Sequence, residues 1–317
     1  MNDSILKKVS DYLGFDEETV AYLSKIAQTS YKHYKINKKK GGKRTIHHPS
    51  KLTKSLQYAI IEIVLRGLSV SDSAIAYKRG VISPTKKNAL LHAKYRYSVM
   101  LDFQDFFHSI KPRDLFAIMS GDDKYKNIEK DDKTFLENCL FIKYNNKKGL
   151  AIGAPSSPIV SNVVMYNLDE RINSISKIVS NDSIYTRYAD DIVFSTNQKG
   201  KSSEFYNRIR ELIKECKTPS LSFNNNKTKF TSRKTKRVVT GLFITPEERI
   251  SIGRKNKRYI KKLLYDFKNN SIEEQGIKYL NGYLSYILDV EPEFYNRLVL
   301  KYGSKTVNSA LRFENSE

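Results

Sequence analysis

Ser183-Ile184-Tyr185-Thr186-Arg187-Tyr188-Ala189-Asp190-Asp191-Ile192-Val193-Phe194-Ser195-Thr196 is the stretch on which the fold turns. Two β-prone runs flank Ala189-Asp190-Asp191, so the segment reads as a hairpin with acids at its tip. Upstream, Tyr97-Ser98-Val99-Met100-Leu101-Asp102 reads as a short buried strand ending on a third carboxylate. If hairpin and strand share a sheet, Asp102, Asp190 and Asp191 make a negative cluster that is costly unless it binds cations or takes up protons. Hard oxygen ligands, with substrate phosphates completing the shell, suit Mg²⁺. Two such ions ~3.5–4 Å apart can clamp both oxygens of an in-line phosphoryl displacement. Taken alone, Tyr188-Ala189-Asp190-Asp191 is weak support, because Asp pairs are also common at turns.

The surrounding composition fits a folded protein that meets a polyanion. With 317 residues and 39% hydrophobic content, the chain can bury a core for one multilobed domain or two ordinary ones. Lys and Arg number 56 against 34 Asp and Glu, and the net charge of +22 favours nucleic acid, with a membrane surface as the rival partner. No apolar run approaches the ~18 residues of a bilayer span. Met1-Asn2-Asp3-Ser4 lacks the basic-then-apolar layout of a secretory signal, so a cytoplasmic protein with no membrane partner is expected. Cys139 and Cys216 stand apart from any Cys/His ligand spacing and read as buried thiols.

Working outward, Ile5, Val9, Tyr12 and Leu13, then Val20, Leu23, Ile26 and Ala27, show helical spacing. Lys38-Lys39-Lys40-Gly41-Gly42-Lys43-Arg44-Thr45-Ile46 predicts a basic hairpin, and Leu52 to Leu68 a helix. Polar stretches from Gly121 to Lys133 and Lys143 to Lys148 read as solvated loops around a helix from Thr134 to Ile142. Asp105, three residues past the strand end, either competes with Asp102 for metal or caps a helix beginning near Phe106, the reading we favour. Beyond Arg254 a helical lobe is expected, with Arg254, Lys257, Arg258, Lys261 and Lys262 near apolar Ile260, Leu263, Leu264 and Phe267. There Ile277, Leu280, Leu284 and Ile287 form a core stripe. Tyr279, Tyr283 and Tyr286 form a second stripe, for packing or for contact with nucleic acid. No repeat or Pro/Ser-rich linker divides the chain, so these are lobes of one protein.

Three segments in order carry a family resemblance. Tyr188-Ala189-Asp190-Asp191 resembles the third palm motif of reverse transcriptases, and Leu101-Asp102-Phe103-Gln104-Asp105-Phe106-Phe107 the first. Gly149-Leu150-Ala151-Ile152-Gly153-Ala154-Pro155-Ser156-Ser157-Pro158 between them resembles the second, which borders incoming nucleotide and template. Ile152 is a departure, since many members carry Gln there. Asn88-Ala89-Leu90-Leu91-His92 looks like the Asn-Ala-x-x-His signature of retron enzymes, and Val239-Thr240-Gly241 resembles their Val-Thr-Gly segment. From about Lys38 to Tyr302 the chain is similar to a bacterial retron reverse transcriptase.

That resemblance implies an α+β right-hand polymerase fold with fingers, palm (an antiparallel sheet plus helices) and helical thumb. The implied bounds are an N-terminal helical region at 1–35, fingers at 36–96, palm at 97–245 with a fingers insertion at about 115–150, and thumb at 246–317. It implies RNA-directed DNA polymerase activity with Asp102, Asp190 and Asp191 as catalytic residues, and those three together with Phe103 at two Mg²⁺ ions. Nucleotide contact is expected at Lys43, Arg44, Phe107, Ile152 and Gly153; for Phe107 this is exclusion of a ribose 2′-hydroxyl, with core packing as the alternative. For Lys43 and Arg44, phosphate pairing through several donors competes with a simple solvated basic face. RNA contact is expected at Asn88, His92, Arg254, Lys257, Arg258 and Lys261, although His92 also fits a satisfied structural histidine. Implied partners are dNTPs, a dedicated structured non-coding RNA, its DNA product and a separate effector in phage defence. Synthesis would be primed from an internal RNA 2′-hydroxyl, giving branched RNA-linked DNA.

Rival readings are a group II intron-like or diversity-generating reverse transcriptase, and a non-catalytic RNA-binding scaffold. About fifteen residues follow Tyr302, too few for a maturase or endonuclease domain, and Ser157-Pro158 stands where diversity-generating enzymes usually show Ser-Gln. The scaffold reading would be supported by loss of a carboxylate, and none of the three is missing.

Overall fold

The computed structural model of the chain describes residues 3–37, 41–144 and 147–312. Helices α1 (Ile5–Leu13) and α2 (Glu17–Ala27) open it. Each begins where a side-chain oxygen accepts from a first-turn amide, Ser4 from Lys7 and Asp16 from Thr19. Strands β1 (Tyr31–Asn37) and β2 (Lys43–Pro49) follow as an antiparallel hairpin with Asn37 opposite Lys43. Strand structure thus begins at Tyr31, inside the segment expected to be helical to residue 35. Lys38, Lys39 and Lys40 at the expected basic tip lie outside the described residues, as do Met1 and Asn2.

Helix α3 (Lys51–Ile63) ends short of the expected Leu68, in a 3₁₀ turn over Leu65–Gly67, and α4 (Pro84–Ala93) leads into the central sheet. That sheet contains β3 (Tyr97–Asp102), and the chain then runs through α5 (Phe106–Ser109), α6 (Pro112–Met119) and α7 (Lys130–Leu140). Asp105 stands at the N-cap of α5, but with φ 45° its side chain makes no capping bond, which corrects the favoured capping role. A second correction concerns 130–150. The helix begins at Lys130 and stops at Leu140, and β4 (Phe141–Tyr144) pairs with β5 (Lys147–Leu150), because β-prone Phe141 and Ile142 find backbone partners in Leu150 and Gly149. Asn145 and Asn146 lie outside the described residues.

Helices α8 (Ser157–Val164) and α9 (Tyr166–Val179) precede the hairpin β6 (Ser183–Tyr188) and β7 (Asp191–Thr196). Helix α10 (Lys201–Glu215) follows, and β8 (Lys229–Ser232) completes a four-stranded antiparallel sheet ordered β6-β7-β3-β8. Period-2 alternation gives the sheet two apolar faces. Val99, Leu101, Ile192 and Phe194 enter the larger core with α3, α9 and α10, whereas Met100 and Val193 face a second core. Each fully buried aliphatic side chain contributes about 1.5–3 kcal/mol.

The second core is closed by a three-stranded sheet of β9 (Arg237–Val239), β10 (Leu242–Ile244) and β11 (Ile250–Ser251), and by helices α11 (Arg254–Lys268), α12 (Glu274–Val290), α13 (Pro292–Tyr302) and α14 (Ser304–Leu311). Leu280, Leu284 and Ile287 of the expected stripe are fully buried, and Ile277 is half-buried. The Val-Thr-Gly segment forms the β9–β10 turn: Thr240 (φ 48°) and Gly241 (φ 82°) both take left-handed backbone, as a tight two-residue hairpin requires. Cys139 is buried and free, and Cys216 is partly exposed, so only one of the two expected buried thiols is fully enclosed.

Candidate active site

The sheet register brings the carboxylates together. Asp102 ends β3 and pairs with Asp191, which begins β7, while Ala189 and Asp190 form the turn back to Tyr188. Phe103 continues the contact by donating its amide to the Asp190 carbonyl at 3.0 Å. Its ring lies stacked between Phe106 and Phe223, so any metal contact there falls to its backbone.

Ala189 has φ 55°, a left-handed conformation that costs an L-residue about 1–2 kcal/mol. A buried guanidinium holds it. Arg187, at 0% exposure, donates from Nη1 to the Ala189 carbonyl at 3.1 Å and to Asn162 Oδ1 at 3.2 Å. Its Nε and Nη2 grip both oxygens of Asp169, the shortest contact being 2.7 Å, and Tyr185 Oη donates to the same carboxylate at 2.6 Å. Asn162 Nδ2 in turn donates to the Ala76 carbonyl at 2.8 Å, tying the segment before Tyr77 to the turn. The tip that carries Asp190 therefore rests on a satisfied network of side chains from α8, α9 and β6.

Charge crowding is visible in the acids. Burial, and then the Asp102 charge, raises the Asp190 carboxyl. Desolvation followed by the charges of Asp190 and Asp102 pushes Asp191 up to about 7. Asp191 keeps an exposed side, so the neighbouring charges are the firmer cause of its shift. Lys227 offsets part of the cluster: its ammonium donates to Asp102 Oδ1 at 2.8 Å and Oδ2 at 2.7 Å. Among the described residues no three side chains form a ready-made metal cage. An open carboxylate set short of cations nevertheless fits Mg²⁺, which binds through one or two carboxylates plus substrate phosphates and keeps waters.

Of the expected nucleotide-contact residues, Arg44 is exposed on β2 and acts electrostatically on Asp190, so the hairpin does bring a guanidinium toward the acids. Lys43, its exposed neighbour, lies opposite Asn37. Ile152 accepts the His47 amide at 2.8 Å, and a Cβ on Gly153 (φ 114°) would meet Ile46 Cγ2 at 2.9 Å, so both positions lock β2 onto the segment before α8. Half-buried Phe107 packs against the larger core, its ring 5.3 Å from Phe106.

The expected RNA contacts divide. Asn88 and His92 are both at 0% exposure. Thr186 Oγ1 donates to Asn88 Oδ1 at 2.6 Å, and the His92 ring bonds Ser195 Oγ at 2.8 Å and Thr186 Oγ1 at 2.7 Å. These contacts key α4 to the back of the β6–β7 hairpin and leave neither buried side chain free to reach RNA, which corrects that expectation. On α11, Arg254, Arg258 and Lys261 are exposed, whereas half-buried Lys257 is paired with Glu291. Sequence reasoning missed Lys227, Arg187 and Tyr77. Tyr77 (φ 58°, 53% exposed) stands within electrostatic reach of Asp190, Arg44 and Tyr188.

This geometry sits within a matching family. Residues 36–282 match the family model for reverse transcriptase (RNA-dependent DNA polymerase). The retron Ec83 reverse transcriptase of Escherichia coli is 35% identical over 289 residues, covering 90% of this chain and 91% of the relative. The chain belongs to the retron reverse transcriptases. The E. coli retron Ec73 enzyme is 36% identical, covering 86% of each chain. A telomerase from Candida tropicalis shares the fold at a TM-score of 0.50 and 15% identity, over 92% of this chain and 61% of the telomerase. As a retron reverse transcriptase, the protein is an RNA-directed DNA polymerase of the right-hand fold, in a family that uses divalent metal ions. Among the described residues no helix is long and apolar enough to cross a membrane.

Proposed function

We propose that this reverse transcriptase copies part of a dedicated structured RNA into DNA, starting from a 2′-hydroxyl within that RNA and yielding branched RNA-linked DNA. The single observation that carries the chemistry is the pairing of Asp102 with Asp191 beside Asp190. Asp102, Asp190 and Asp191 would hold two Mg²⁺ ions, with the Phe103 backbone at their edge. Bound there, the ions would supply charge stabilisation for an in-line attack on a nucleotide α-phosphate. The chain's own residues position the reactants. Arg44 and Lys43 face the dNTP triphosphate, Ile152 and Gly153 fix the hairpin that carries them, and Phe107 borders the sugar.

A thumb at 246–317 is supported by the second core, whereas the fingers at 36–96 and the palm at 97–245, with an insertion at about 115–150, share the larger core and are divided in this reading by their motifs. The pairing of β10 with β11 carries sheet structure past residue 245 into the thumb segment. Exposed Arg254, Arg258 and Lys261 are the RNA-facing candidates on α11. Membership of the retron reverse transcriptases supports the polymerase part of this reading; the dedicated RNA, the branched product and a cytoplasmic role in phage defence with a separate effector are the further content of the proposal. Purified enzyme given cognate RNA, Mg²⁺ and dNTPs is expected to make DNA that stays linked to RNA after denaturation and is released by a 2′,5′-debranching enzyme. DNA that separates on denaturation alone would refute branched priming and leave the polymerase assignment standing.

A further inference from the structure

Beside β3 lies a cleft of about 810 Å³ whose lining includes none of Asp102, Asp190 and Asp191. Its lining includes Lys111, Arg113, Lys147 and Lys148, with His108 and a single acid, Asp105. The cations come from two parts of the chain, brought together by a close backbone approach. A Cβ on Gly149 would lie 2.6 Å from the His108 carbonyl oxygen, so only glycine lets β5 settle against α5. His108 Nδ1 lies 3.0 Å from the Leu150 carbonyl and ties the same pair of elements. Lys147 and Lys148 are thereby held over the start of α6, where Lys111 and Arg113 project.

This positive charge is only partly compensated. Lys148 pairs with Glu137, and Arg113 Nε is 3.8 Å from Asp114 Oδ1. Burial, and next the Lys147 charge, lowers the Lys111 ammonium, a sign that cations crowd one another here. We propose that the cleft is a binding site for a compact polyanion of the triphosphate or pyrophosphate class, distinct from the catalytic carboxylates. Two features select that ligand over an RNA backbone. The volume suits a small molecule, and the cations converge in one concavity, whereas a nucleic-acid strand spaces its charges one per phosphate along its length. Triphosphate and pyrophosphate are the substrate group and the by-product of nucleotidyl transfer, so such a site would raise or drain their local concentration beside α5.

The inference concerns binding without divalent metal, so it can fail while the polymerase reading stands. The test is calorimetric titration of the full chain with inorganic tripolyphosphate in EDTA at fixed salt. Arg113→Gln/Lys147→Gln is expected to weaken binding by about tenfold or more. Lys262→Gln/Lys268→Gln, an equal charge change on exposed positions of α11, is expected to leave it within about twofold. The Arg113 side chain is 69% exposed and Lys147 is exposed, so both pairs should melt like the wild type. If the first pair melts early, Lys147→Gln alone carries the same expectation at smaller size. Unchanged affinity in the Arg113/Lys147 variant, equal losses in both pairs, or loss of affinity only for a short single-stranded RNA would each overturn the proposal.

Discussion

Lys227 places its ammonium 2.8 and 2.7 Å from the two carboxylate oxygens of Asp102 and supplies that acid with a counter-charge. The lysine side chain is 53% exposed and the aspartate side chain 8%, so the pair joins a solvent-facing cation to a nearly buried anion. Lys227 thus neutralises part of the Asp102, Asp190 and Asp191 cluster from within the chain.

Lys227→Ala should therefore hurt the protein most when metal is withheld. Asp102 would then face Asp190 and Asp191 without its paired cation, at a cost of about 1–3 kcal/mol. Melting curves in EDTA and in Mg²⁺ are expected to differ more for the variant than for the wild type. An identical drop in both buffers would show that the lysine serves only as packing.

Arg187 tests whether the strained turn matters to turnover. Arg187→Met leaves Asp169 buried without its cation, with only Tyr185 Oη still donating to it, and should cost about 3–5 kcal/mol in denaturant unfolding. Arg187→Lys keeps the charge but loses the fork that reaches Asp169, Asn162 and Ala189 together. In a folded Arg187→Lys enzyme, kcat should fall about tenfold or more while the dNTP KM changes little. A lower stability with unchanged kcat would reduce Arg187 to a core residue.

Phe107 separates sugar selection from packing. The ring is half-buried against Phe106 and the larger core, so both roles are open to it. Phe107→Ala is expected to raise ribonucleotide incorporation relative to deoxyribonucleotide in primer extension. Unchanged discrimination by a well-folded variant would reject the sugar-facing role.

What was legible in sequence was local. The alternation in Ser183 to Thr196 and the strand ending at Asp102 specified strands and acids, and the motif order supplied their pairing. Residues that act across long separations left no comparable trace. Lys227 sits in an Asn-rich turn 125 residues from Asp102 and looks like any surface lysine. Arg187 alternates correctly for a strand, and only the packing of α8 and α9 reveals that it is buried with Asp169. Asn88 and His92 stand out in the sequence while their environment does not, because a short polar motif reads the same whether it faces RNA or the back of a hairpin. The β4–β5 strands are hidden by Lys143, Lys147 and Lys148, which face solvent while Phe141, Ile142 and Leu150 are buried.

His92 turns that correction into a pH experiment. Burial, and next the Arg237 charge, lowers its imidazole from 6.5 to about 3, and burial likewise takes His47 to about 4. Below pH 6.5 the unfolded chain takes up a proton at His92 that the folded chain refuses. The stability it contributes is complete above pH 6.5 and drains away as pH falls toward 3, by roughly 3 kcal/mol at pH 4. Urea unfolding of the wild type at a series of pH values from 7 to 4 should show this decline. His92→Gln, weaker at neutral pH because Ser195 and Thr186 lose an imidazole partner, should lose less on acidification. The two profiles are expected to converge toward pH 4. Parallel profiles would mean that His92 titrates alike in both states and is not the enclosed neutral key between α4 and the catalytic hairpin.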